Sequence, residues 1–334
     1  RITWLVEDRT EELLRDHPYL DQIIVFPRKK WRQALLNPLK VLSTLPEIIS
    51  FFLKMRRGRF EVAIDFQGNL KSGVMTFLSG APLRIGFAQG HSREGNYLFM
   101  NRRITPPEGR VHKIEKDLSL LSALGIKEPT YEPTSPSVSA QDRDYISQFL
   151  SLRGKGAGPL VVIHPGTSDF GAFKRWPSQS YARLGDMLVR ELGAQVVISW
   201  GPSELPIAED ILGGMKEGGF LAPRTLTLGQ LTSLIGHSDL FISGDTGPMH
   251  IASLLGVPQV AIFGPKDPAI YGPYSENSVA VRKDLECSPC TKRSCDHVTC
   301  ITSISPEEVF VAAKRLLTRH AHTRTAAQAR PLQT

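Results

Sequence analysis

A short loop in the second half of the chain carries residues whose types and spacing suit phosphate chemistry. The segment 244–247, Gly-Asp-Thr-Gly, is followed by Pro248 at a position suited to the first turn of a helix. The N–H groups and the positive dipole end of such a helix attract anions. The candidate ligand-binding residues are Asp245, Thr246, Gly247 and His250. The alternative is that Asp245 and Thr246 only cap the helix.

Two buried strands and the helix between them are predicted to position this loop. Residues 240–243 and 259–263 are apolar runs of the length that a buried parallel strand needs, and Gly256 followed by Pro258 ends the intervening helix. In an open parallel sheet, ligands bind beyond the carboxyl ends of the strands. The loop is therefore predicted to lie in a ligand crevice.

The same alternation of strands and helices runs through the chain in two halves. In the first half, strands are predicted at 2–6, 22–26, 60–66 and 81–87, and helices at 10–16, 70–78, 111–125 and 141–152. In the second half, strands are predicted at 160–164, 195–200, 240–243 and 259–263, and helices at 180–192, 205–212, 226–236 and 305–317. This alternation predicts an α/β protein with two doubly wound domains. A Gly-rich linker near residue 156 is predicted to join them, with a ligand cleft between the domains.

Composition indicates a globular chain, and the sequence disfavours a membrane-spanning protein and a nicotinamide-dependent enzyme. The 334 residues and 37.0 kDa suit two domains of about 150 residues each. The most apolar segment, 41–55, contains Pro46, Glu47 and Lys54, so it is not predicted to span a membrane, and no secretory leader is visible. A nicotinamide-dependent enzyme is disfavoured because no G-x-G-x-x-G follows a predicted strand.

The net charge of +7 is concentrated in the segment 28–59. Basic residues alternate there with apolar ones, and only Glu47 opposes them. Such a surface is suited to rest on anionic lipid headgroups; the alternative is a solvated face beside an ordinary helix core. Nucleic acid is disfavoured as a partner because no recognised binding module accompanies the charge.

Several ordered motifs resemble those of the ADP-heptose:lipopolysaccharide heptosyltransferases, glycosyltransferase family 9. In the second half they are His164-Pro165-Gly166-Thr167 with Lys174-Arg175-Trp176-Pro177, the run from Trp200 to Glu204, the run from Gly244 to His250, and Phe263-Gly264-Pro265. In the first half they are 64–72, 84–87 and the helix 112–125. The resemblance covers residues 2–317 and implies a GT-B arrangement of two Rossmann-like domains around an interdomain cleft. It implies an acceptor-binding domain at 1–155 and a donor-binding domain at 156–317, and the polar segment 318–334 is predicted to be a disordered tail.

The resemblance implies a nucleotide-sugar site in the second half. Lys174 and the loop 245–250 match family residues that hold the donor diphosphate, Glu204 matches one that holds the ribose, and Leu226 matches the adenine contact. A departing nucleoside diphosphate gains negative charge, which a lysine, a helix N-terminus and a histidine stabilise without a metal. The predicted donor-binding residues are Thr167, Lys174, Glu204, Leu226, Asp245, Thr246, Gly247 and His250.

The family is understood to invert the anomeric centre, which requires a general base to deprotonate the acceptor hydroxyl. Members begin with a strand and a Gly-Asp loop whose aspartate is the expected base, whereas this sequence begins at the second strand. The resemblance therefore places the base upstream of Arg1, and a truncated or misassigned start is favoured over loss of the base. The acceptor-side candidates are Asp65, Gln67, Lys71, His91, Arg93 and Glu94. A strand-end cap is the alternative role of Asp65.

All four cysteines lie in one run, spaced Cys287-x2-Cys290-x4-Cys295-x4-Cys300. Clustered thiolates suit tetrahedral zinc, but the run lacks the regular pair-plus-pair spacing of zinc sites. Similar cysteines occur in the second-heptose branch of the family without a known required metal. A structural loop is therefore favoured, and no metal or cofactor is predicted. The absence of cysteine elsewhere fits a reducing cytoplasm.

The resemblance implies an inverting, metal-independent glycosyltransferase that moves heptose from ADP-heptose to the lipopolysaccharide inner core. The implied partners are ADP-heptose, the lipid A–core oligosaccharide and the inner-membrane surface, contacted peripherally from the cytoplasm. Two alternatives stay open. One is a non-catalytic sugar-nucleotide-binding module, and the other is a GT-B-type nucleotide-sugar epimerase, which would need no lipid acceptor.

Overall fold

The structure is a computed structural model that describes residues 1–8, 10–36, 38–153, 158–167, 169–290, 292 and 295–328. The chain forms two compact units, Arg1–Glu132 and Pro133–Thr334. Both units are built from parallel strands connected through helices.

The first unit contains two small parallel sheets. Its strands are β1 (Thr3–Glu7), β2 (Gln22–Phe26), β3 (Val62–Ile64), β4 (Leu83–Phe87) and β5 (Arg102–Ile104). β1 pairs with β2, and β4 lies between β3 and β5. Its helices are α1 (Arg28–Leu35), α2 (Pro38–Arg57), α3 (Leu70–Leu78) and α4 (Lys113–Leu118), with 3-10 helices at Glu11–Leu14, Asn96–Phe99 and Ser119–Leu124.

Aromatic side chains fix α1 and α2 beside β2. Phe26 of β2 packs edge to face on Trp31 of α1, with ring centroids 5.0 Å apart. Phe51 of α2 meets both rings, at 6.0 Å from Phe26 and 5.3 Å from Trp31. Edge-to-face aromatic contacts add to the stabilisation from burial alone. This cluster determines which face of α2 is turned to the core.

The second unit is built on one six-stranded parallel sheet. Its strands are β6 (Leu160–His164), β7 (Gln195–Ile198), β8 (Phe220–Leu221), β9 (Leu240–Gly244), β10 (Gln259–Ile262) and β11 (Ser278–Val281). The order across the sheet is β11-β10-β9-β6-β7-β8, so the chain reverses its direction of winding between β6 and β9. This is the strand order of a Rossmann fold.

Helices of the second unit connect these strands and follow them. They are α5 (Ala140–Arg153), α6 (Ser178–Leu192), α7 (Leu205–Gly214), α8 (Leu228–His237), α9 (Gly247–Leu254), α10 (Pro268–Tyr271), α11 (Thr299–Thr302) and α12 (Pro306–Gln328), with a 3-10 helix at Asp169–Lys174. Three consecutive residues of β6, Val161, Val162 and Ile163, have no exposed surface. A strand that is buried on both faces is apolar at successive positions, which explains the continuous apolar run in the sequence.

The predicted α/β class with parallel sheets is confirmed, and the local differences have physical reasons. Strands 22–26 and 160–164 and helix 70–78 have the predicted bounds, but the helix predicted at 10–16 is only a 3-10 helix. The helix predicted at 111–125 changes from α4 to a 3-10 helix at Ser119. There the hydroxyls of Ser119 and Ser122 donate to carbonyls three residues earlier, each at 2.7 Å, which favours the tighter turn. β5, β8 and β11, of two to four residues each, were not predicted.

The division between the compact units differs from the boundary expected near residue 156, because α5 belongs to the second unit. The Thr227 hydroxyl donates to Asp142 of α5 at 2.9 Å, and the Tyr145 hydroxyl donates to the carbonyl of Arg224 at 3.1 Å. These contacts join positions far apart in the sequence, which no local pattern predicts. Residues 154–157 of the predicted linker lie outside the described residues.

The last helix extends beyond its predicted end at Leu317. Residues 318–328 were predicted to be part of a disordered tail, but they continue α12. This segment contains no Gly or Pro that would stop a helix. Residues 329–334 lie outside the described residues.

Candidate functional site

Segments from two adjacent strands meet at the point where the strand order of the second unit reverses. His164 at the end of β6 is paired with Ser243 of β9. The segments that begin at Pro165 and Asp245 therefore leave the same edge of the sheet. Connections that diverge to opposite faces leave a crevice at this edge, and ligands of open α/β sheets bind there.

Lys174 and Asp245 form an ion pair between these two segments. Lys174 is the last residue of the 3-10 helix, and its Nζ contacts the Asp245 carboxylate. The two side chains are only 21% and 14% exposed. Trp176 fixes the lysine segment because its buried indole donates to the carbonyl of Ile304 at 2.9 Å. The fold thus holds the Lys174 ammonium at the edge of the sheet where the strands have their carboxyl ends.

Arg175 fixes Thr167 next to this cation. The guanidinium Nε donates to Thr167 Oγ1 at 2.9 Å, and its Nη2 donates to the Thr167 carbonyl at 2.7 Å. Thr167 is buried. A hydroxyl that accepts from an arginine keeps its own proton to donate. Thr167 is therefore prepared to donate a hydrogen bond to an anionic ligand.

The beginning of α9 is not closed by a side-chain cap. Thr246 is the N-cap residue, and within the described part of the chain its side chain makes no capping hydrogen bond. Asp245 contacts Lys174 instead. The capping alternative therefore does not describe Thr246, and the first N–H groups of this helix have the capacity to bind an anion. Gly247 and His250 are exposed on the same helix.

Glu204 begins the turn into α7 and belongs to a buried polar group. Its Oε2 accepts from the Gly201 N–H at 2.7 Å and lies 3.7 Å from His164 Nε2. His164 Nδ1 lies 3.0 Å from the Ser199 hydroxyl. Burial lowers the pKa of His164 from 6.5, and this effect outweighs the attraction of the Glu204 carboxylate, which opposes it. His164 is therefore neutral at pH 7.

Gly166 allows the loop after β6 to pack directly on Glu204. A Cβ atom at position 166 would lie only 2.0 Å from Glu204 Oε2. A side chain at the third position of the His-Pro-Gly-Thr motif would displace the Glu204 carboxylate, which occupies that space. This contact connects the loops that follow β6 and β7.

Leu226 is the apolar member of the predicted donor set. Its side chain is 70% exposed, and its N–H donates to Gln230 Oε1 at 2.8 Å. Thr227 caps α8 by accepting from the Gln230 N–H at 3.0 Å. Leu226 is thus an exposed apolar side chain on a rigid helix start, as a contact for a planar base requires.

In the first unit, Asp65 organises the loop between β3 and α3. It is buried, and its Oδ1 accepts from the N–H groups of Gln67 and Gly68 at 2.9 and 3.0 Å. Its Oδ2 accepts from the amide of Asn96 at 2.7 Å. Both carboxylate oxygens are therefore used within the protein, which agrees with the strand-end cap alternative.

The other acceptor-side candidates border this loop or lie near it. The Glu94 carboxylate accepts from the Leu70 N–H at 3.2 Å, and the Arg93 N–H donates to the Gly68 carbonyl at 2.7 Å. Lys71 contacts Glu7, and the pKa of Glu7 is lowered although partial burial opposes this, because Lys71 and Arg28 both bond to the carboxylate. The exposed candidates of this group are Gln67, Lys71, His91, Arg93 and Glu94.

The sequence model of glycosyltransferase family 9 (heptosyltransferase) matches residues 48–300 of the 334. The chain belongs to this family. The lipopolysaccharide heptosyltransferase 1 of Pseudomonas aeruginosa is 26% identical over 331 residues, which is 94% of this chain and 88% of that protein. The lipopolysaccharide heptosyltransferase 2 of Escherichia coli is 28% identical over 238 residues, which is 68% of this chain and 66% of that protein.

A solved family 9 glycosyltransferase from Veillonella parvula shares the fold of this glycosyltransferase. The TM-score is 0.75 at 21% identity, and the match covers 96% of this chain and 89% of that one. The family model and the named relatives confirm the predicted family and the glycosyltransferase activity class, and the structural match confirms the GT-B fold class. The interdomain cleft and the second-heptose branch stay predictions.

The cysteine loop of the glycosyltransferase contains free thiols. Burial raises the pKa of the Cys300 thiol, and Cys290, Cys287 and Cys295 raise it further. The Cys290 N–H donates to the carbonyl of Pro265 at 2.7 Å, which ties the loop to the segment after β10. Within the described ranges, no three His, Cys, Asp or Glu residues are grouped as metal ligands. The absence of a metal stays a prediction.

Three residues of this glycosyltransferase that the contacts place in the site, His164, Arg175 and Gly166, were not among the predicted site residues. His164 and Gly166 belong to the motif after β6, and Arg175 directly follows Lys174. Their roles depend on the contacts with Glu204 and Thr167, which only the fold reveals.

No helix in the described part of the chain is both long and apolar enough to cross a bilayer.

Proposed function

We propose that this glycosyltransferase moves heptose from ADP-heptose to the lipopolysaccharide inner core, with inversion and without a metal. The observation that carries the proposal is the anion-binding edge at the strand reversal, where Lys174 lies next to the uncapped start of α9. The named heptosyltransferase that aligns with 94% of the chain supports the choice of sugar and acceptor.

The residues at this edge suit the departure of a diphosphate. In the reaction, an acceptor oxygen forms a bond to C1 of the heptose while the bond from C1 to the phosphate oxygen breaks. The electron pair leaves with ADP, so negative charge grows on the diphosphate. Lys174, the first N–H groups of α9 and the Thr167 hydroxyl are preorganised donors of the kind that stabilise such charge. We propose that His250, which is exposed on α9, also contacts the diphosphate.

Asp245 positions the lysine for this role. Its carboxylate holds Lys174 Nζ, and in the donor complex it shares this cation with the diphosphate. A partly buried lysine that already has a fixed direction loses less side-chain entropy when it binds. Asp245 is therefore proposed as a positioning residue for Lys174.

Glu204 and Leu226 are proposed to bind the nucleoside. Glu204 Oε2 is occupied by the Gly201 N–H, which leaves Oε1 to accept from a ribose hydroxyl. The exposed apolar side chain of Leu226 is proposed to pack on the adenine ring. The Gly201 N–H directs the Glu204 carboxylate, and neutral His164, 3.7 Å from Oε2, adds no positive charge that would compete with the ribose for it.

The acceptor is proposed to bind at the exposed residues around the Asp65 loop. Arg93, His91 and Lys71 supply groups that suit an anionic sugar, and Asp65 fixes the loop. The acceptor hydroxyl must pass its proton to a general base. No residue of the described ranges is assigned to that role.

We infer that the reaction takes place at the cytoplasmic face of a membrane, which the chain contacts peripherally. The lipid anchor of a lipopolysaccharide acceptor would keep this substrate at a bilayer surface. The free thiols of all four cysteines agree with a reducing compartment.

The test is a transfer assay with the purified protein, ADP-heptose and a lipid A acceptor that carries the first inner-core sugars. We expect acceptor-dependent release of ADP and a heptose mass increment on the acceptor, both unchanged by EDTA. UDP-glucose is the control donor and should give no product. ADP binding, measured separately by calorimetry, distinguishes the alternatives. Binding without transfer, both by this sequence and by a form extended upstream to the expected Gly-Asp loop, contradicts the transferase and supports a binding module. An altered sugar nucleotide formed without acceptor indicates an epimerase.

A further inference from the structure

Helix α2 is apolar on two adjacent faces. Its inner face carries Ile48, Phe51 and Phe52, which pack on the cluster of Phe26, Trp31 and Met75. Its one acidic residue in the stretch 42–57, Glu47, accepts from Trp31 Nε1 at 3.3 Å and from Lys30 Nζ at 2.5 Å. The inner face thus attaches this helix to the unit.

The outer face carries a stripe of large apolar side chains that the first unit leaves exposed. Leu42, Leu45, Ile49 and Leu53 follow each other at intervals of three or four residues and are 73%, 47%, 51% and 51% exposed. This spacing places them on one side of a helix. Together with Pro46 they line a shallow groove along α2.

Basic residues end this stripe. Lys54 directly follows Leu53 and Arg57 lies one turn beyond it; both border the same groove and are exposed. In the described stretch 42–57, no acidic residue lies on the outer face, since Glu47 is engaged with α1. The face is therefore apolar along its length and cationic at one end.

We propose that the outer face of α2, defined by Leu42, Leu45, Ile49, Leu53, Lys54 and Arg57, is the surface by which this protein rests on an anionic lipid bilayer. A continuous exposed apolar stripe is uncommon on a protein that stays in water. Amphipathic helices insert such stripes at the boundary between headgroups and acyl chains, while lysine and arginine extend to the anionic headgroups. The inference rests on the proposed membrane-side function but not on the identity of the sugar donor.

Charge complementarity favours a lipid surface over a second copy of the chain. A copy docked through the same face would bring no carboxylate to Lys54 or Arg57, because the outer face carries none in the described stretch. Anionic lipids supply that counter-charge, at about 1 kcal/mol for each basic residue close to the surface.

The proposal is tested by sedimentation of the whole protein with vesicles of phosphatidylcholine alone and of phosphatidylcholine with phosphatidylglycerol. We expect the wild type to bind the anionic vesicles preferentially, and Leu45→Ser/Ile49→Ser/Leu53→Ser to reduce its partition at least about 10-fold. Lys54→Gln/Arg57→Gln should reduce partition by roughly 30-fold at low salt, with little effect on neutral vesicles. The matched control is Leu152→Ser/Val311→Ser, which alters apolar residues that are 86% and 65% exposed in the second unit and should bind like the wild type.

Thermal unfolding and ADP binding of each variant, measured without vesicles, separate docking from folding and from the donor site. Both should match the wild type, because the altered side chains are exposed. Equal vesicle binding by the wild type and the triple stripe variant overturns the proposal. A change from dimer to monomer in the variants without a change in vesicle binding also overturns it, because the face would then be a contact between two copies of the chain. Vesicle binding that persists when no heptose is transferred would contradict the proposed function and leave this inference standing.

Discussion

At the scale of residues, the donor site depends on pairs of side chains that are distant in the sequence. Lys174 and Asp245 are 71 positions apart, and His164 and Ser199 are 35 positions apart. Each pair is at least partly buried, where an electrostatic interaction is stronger than in water and the loss of one partner is costly. Substitutions at these positions therefore test the site directly.

Replacing Lys174 by Met should weaken ADP binding by roughly 10- to 100-fold, because a hydrogen bond to a charged group contributes about 1.5–3 kcal/mol. Calorimetric titration with ADP measures this change. Lys216→Met removes an exposed lysine of the same unit and is the matched control, with unchanged affinity expected. An affinity of Lys174→Met equal to that of the wild type would remove Lys174 from the diphosphate site.

His164 should make the protein less stable in mild acid. Burial lowers the pKa of His164 below 6.5, so between 6.5 and that lower pKa the unfolded chain binds a proton that the folded chain does not. Stability therefore falls as the pH decreases through 6.5, by at most about 1.4 kcal/mol per pH unit, and levels off below the folded pKa. Urea unfolding between pH 7.5 and 5 should be less pH-dependent for His164→Gln than for the wild type.

The matched control for this effect is His297→Gln, which changes an exposed histidine of the same unit. Its stability should follow the pH dependence of the wild type. If His164→Gln retains the full dependence, the acid sensitivity originates from other groups.

At the scale of elements, loop geometry at the ends of β6, β7 and β9 defines the site more than the strands do. The strands only place the loops at one edge, and close contacts then fix each loop. Gly166 packs directly on Glu204, and Asp65 with Asn96 has the equivalent role in the first unit. The loop after β6 is therefore sensitive to the addition of a single methyl group.

Gly166→Ala should weaken ADP binding while leaving most of the fold intact. The added Cβ would lie 2.0 Å from the Glu204 carboxylate, which must move away from its bond with Gly201. We expect a loss of ADP affinity of about 10-fold or more, since a hydrogen bond to a charged group is broken. Calorimetry with ADP provides the measurement.

Gly213→Ala is the opposite case within α7, because a Cβ at position 213 meets no atom within 4 Å. It should leave ADP affinity unchanged and stabilise the protein by about 0.5–1 kcal/mol, as alanine does when it replaces glycine in a helix. Equal ADP affinities of the two glycine variants would show that the Glu204 contact does not serve nucleotide binding.

At the scale of the whole molecule, the two compact units carry separate groups of predicted residues. All donor candidates lie in the second unit, and all acceptor candidates lie in the first. The outer face of α2 also belongs to the first unit. Donor binding, acceptor binding and membrane contact are therefore separable by measurement.

Saturating ADP should slow hydrogen exchange in the second unit only. Peptides that cover 160–167, 199–204 and 244–250 should gain protection, because ligand binding stabilises the state in which their N–H groups are held. Peptides from α3 in the first unit serve as the internal control and should exchange at the same rate with and without ADP. Protection that is confined to the first unit would reverse the assignment of the donor domain.

The sequence by itself determined the α/β class, most long elements and the family. Apolar runs such as 160–164 and helix boundaries such as Asn69 or Gly256 are local signals, because they reflect the burial and backbone hydrogen bonding of consecutive residues. The family motifs are likewise contiguous, so Lys174, Glu204 and the loop 245–250 could be selected before any fold was known.

Only the tertiary structure decided which of these residues touch and which face of each element is free. The Lys174–Asp245 pair, the hydrogen bond from Asn96 to Asp65 Oδ2 and the attachment of α5 to the second unit depend on contacts across long sequence separations. The basic segment likewise had two possible interpretations, and the packing of Phe51 and Phe52 showed that a second apolar face of α2 remains exposed. Local periodicity cannot predict this exposure, because it identifies apolar residues but not whether another element of the fold covers them.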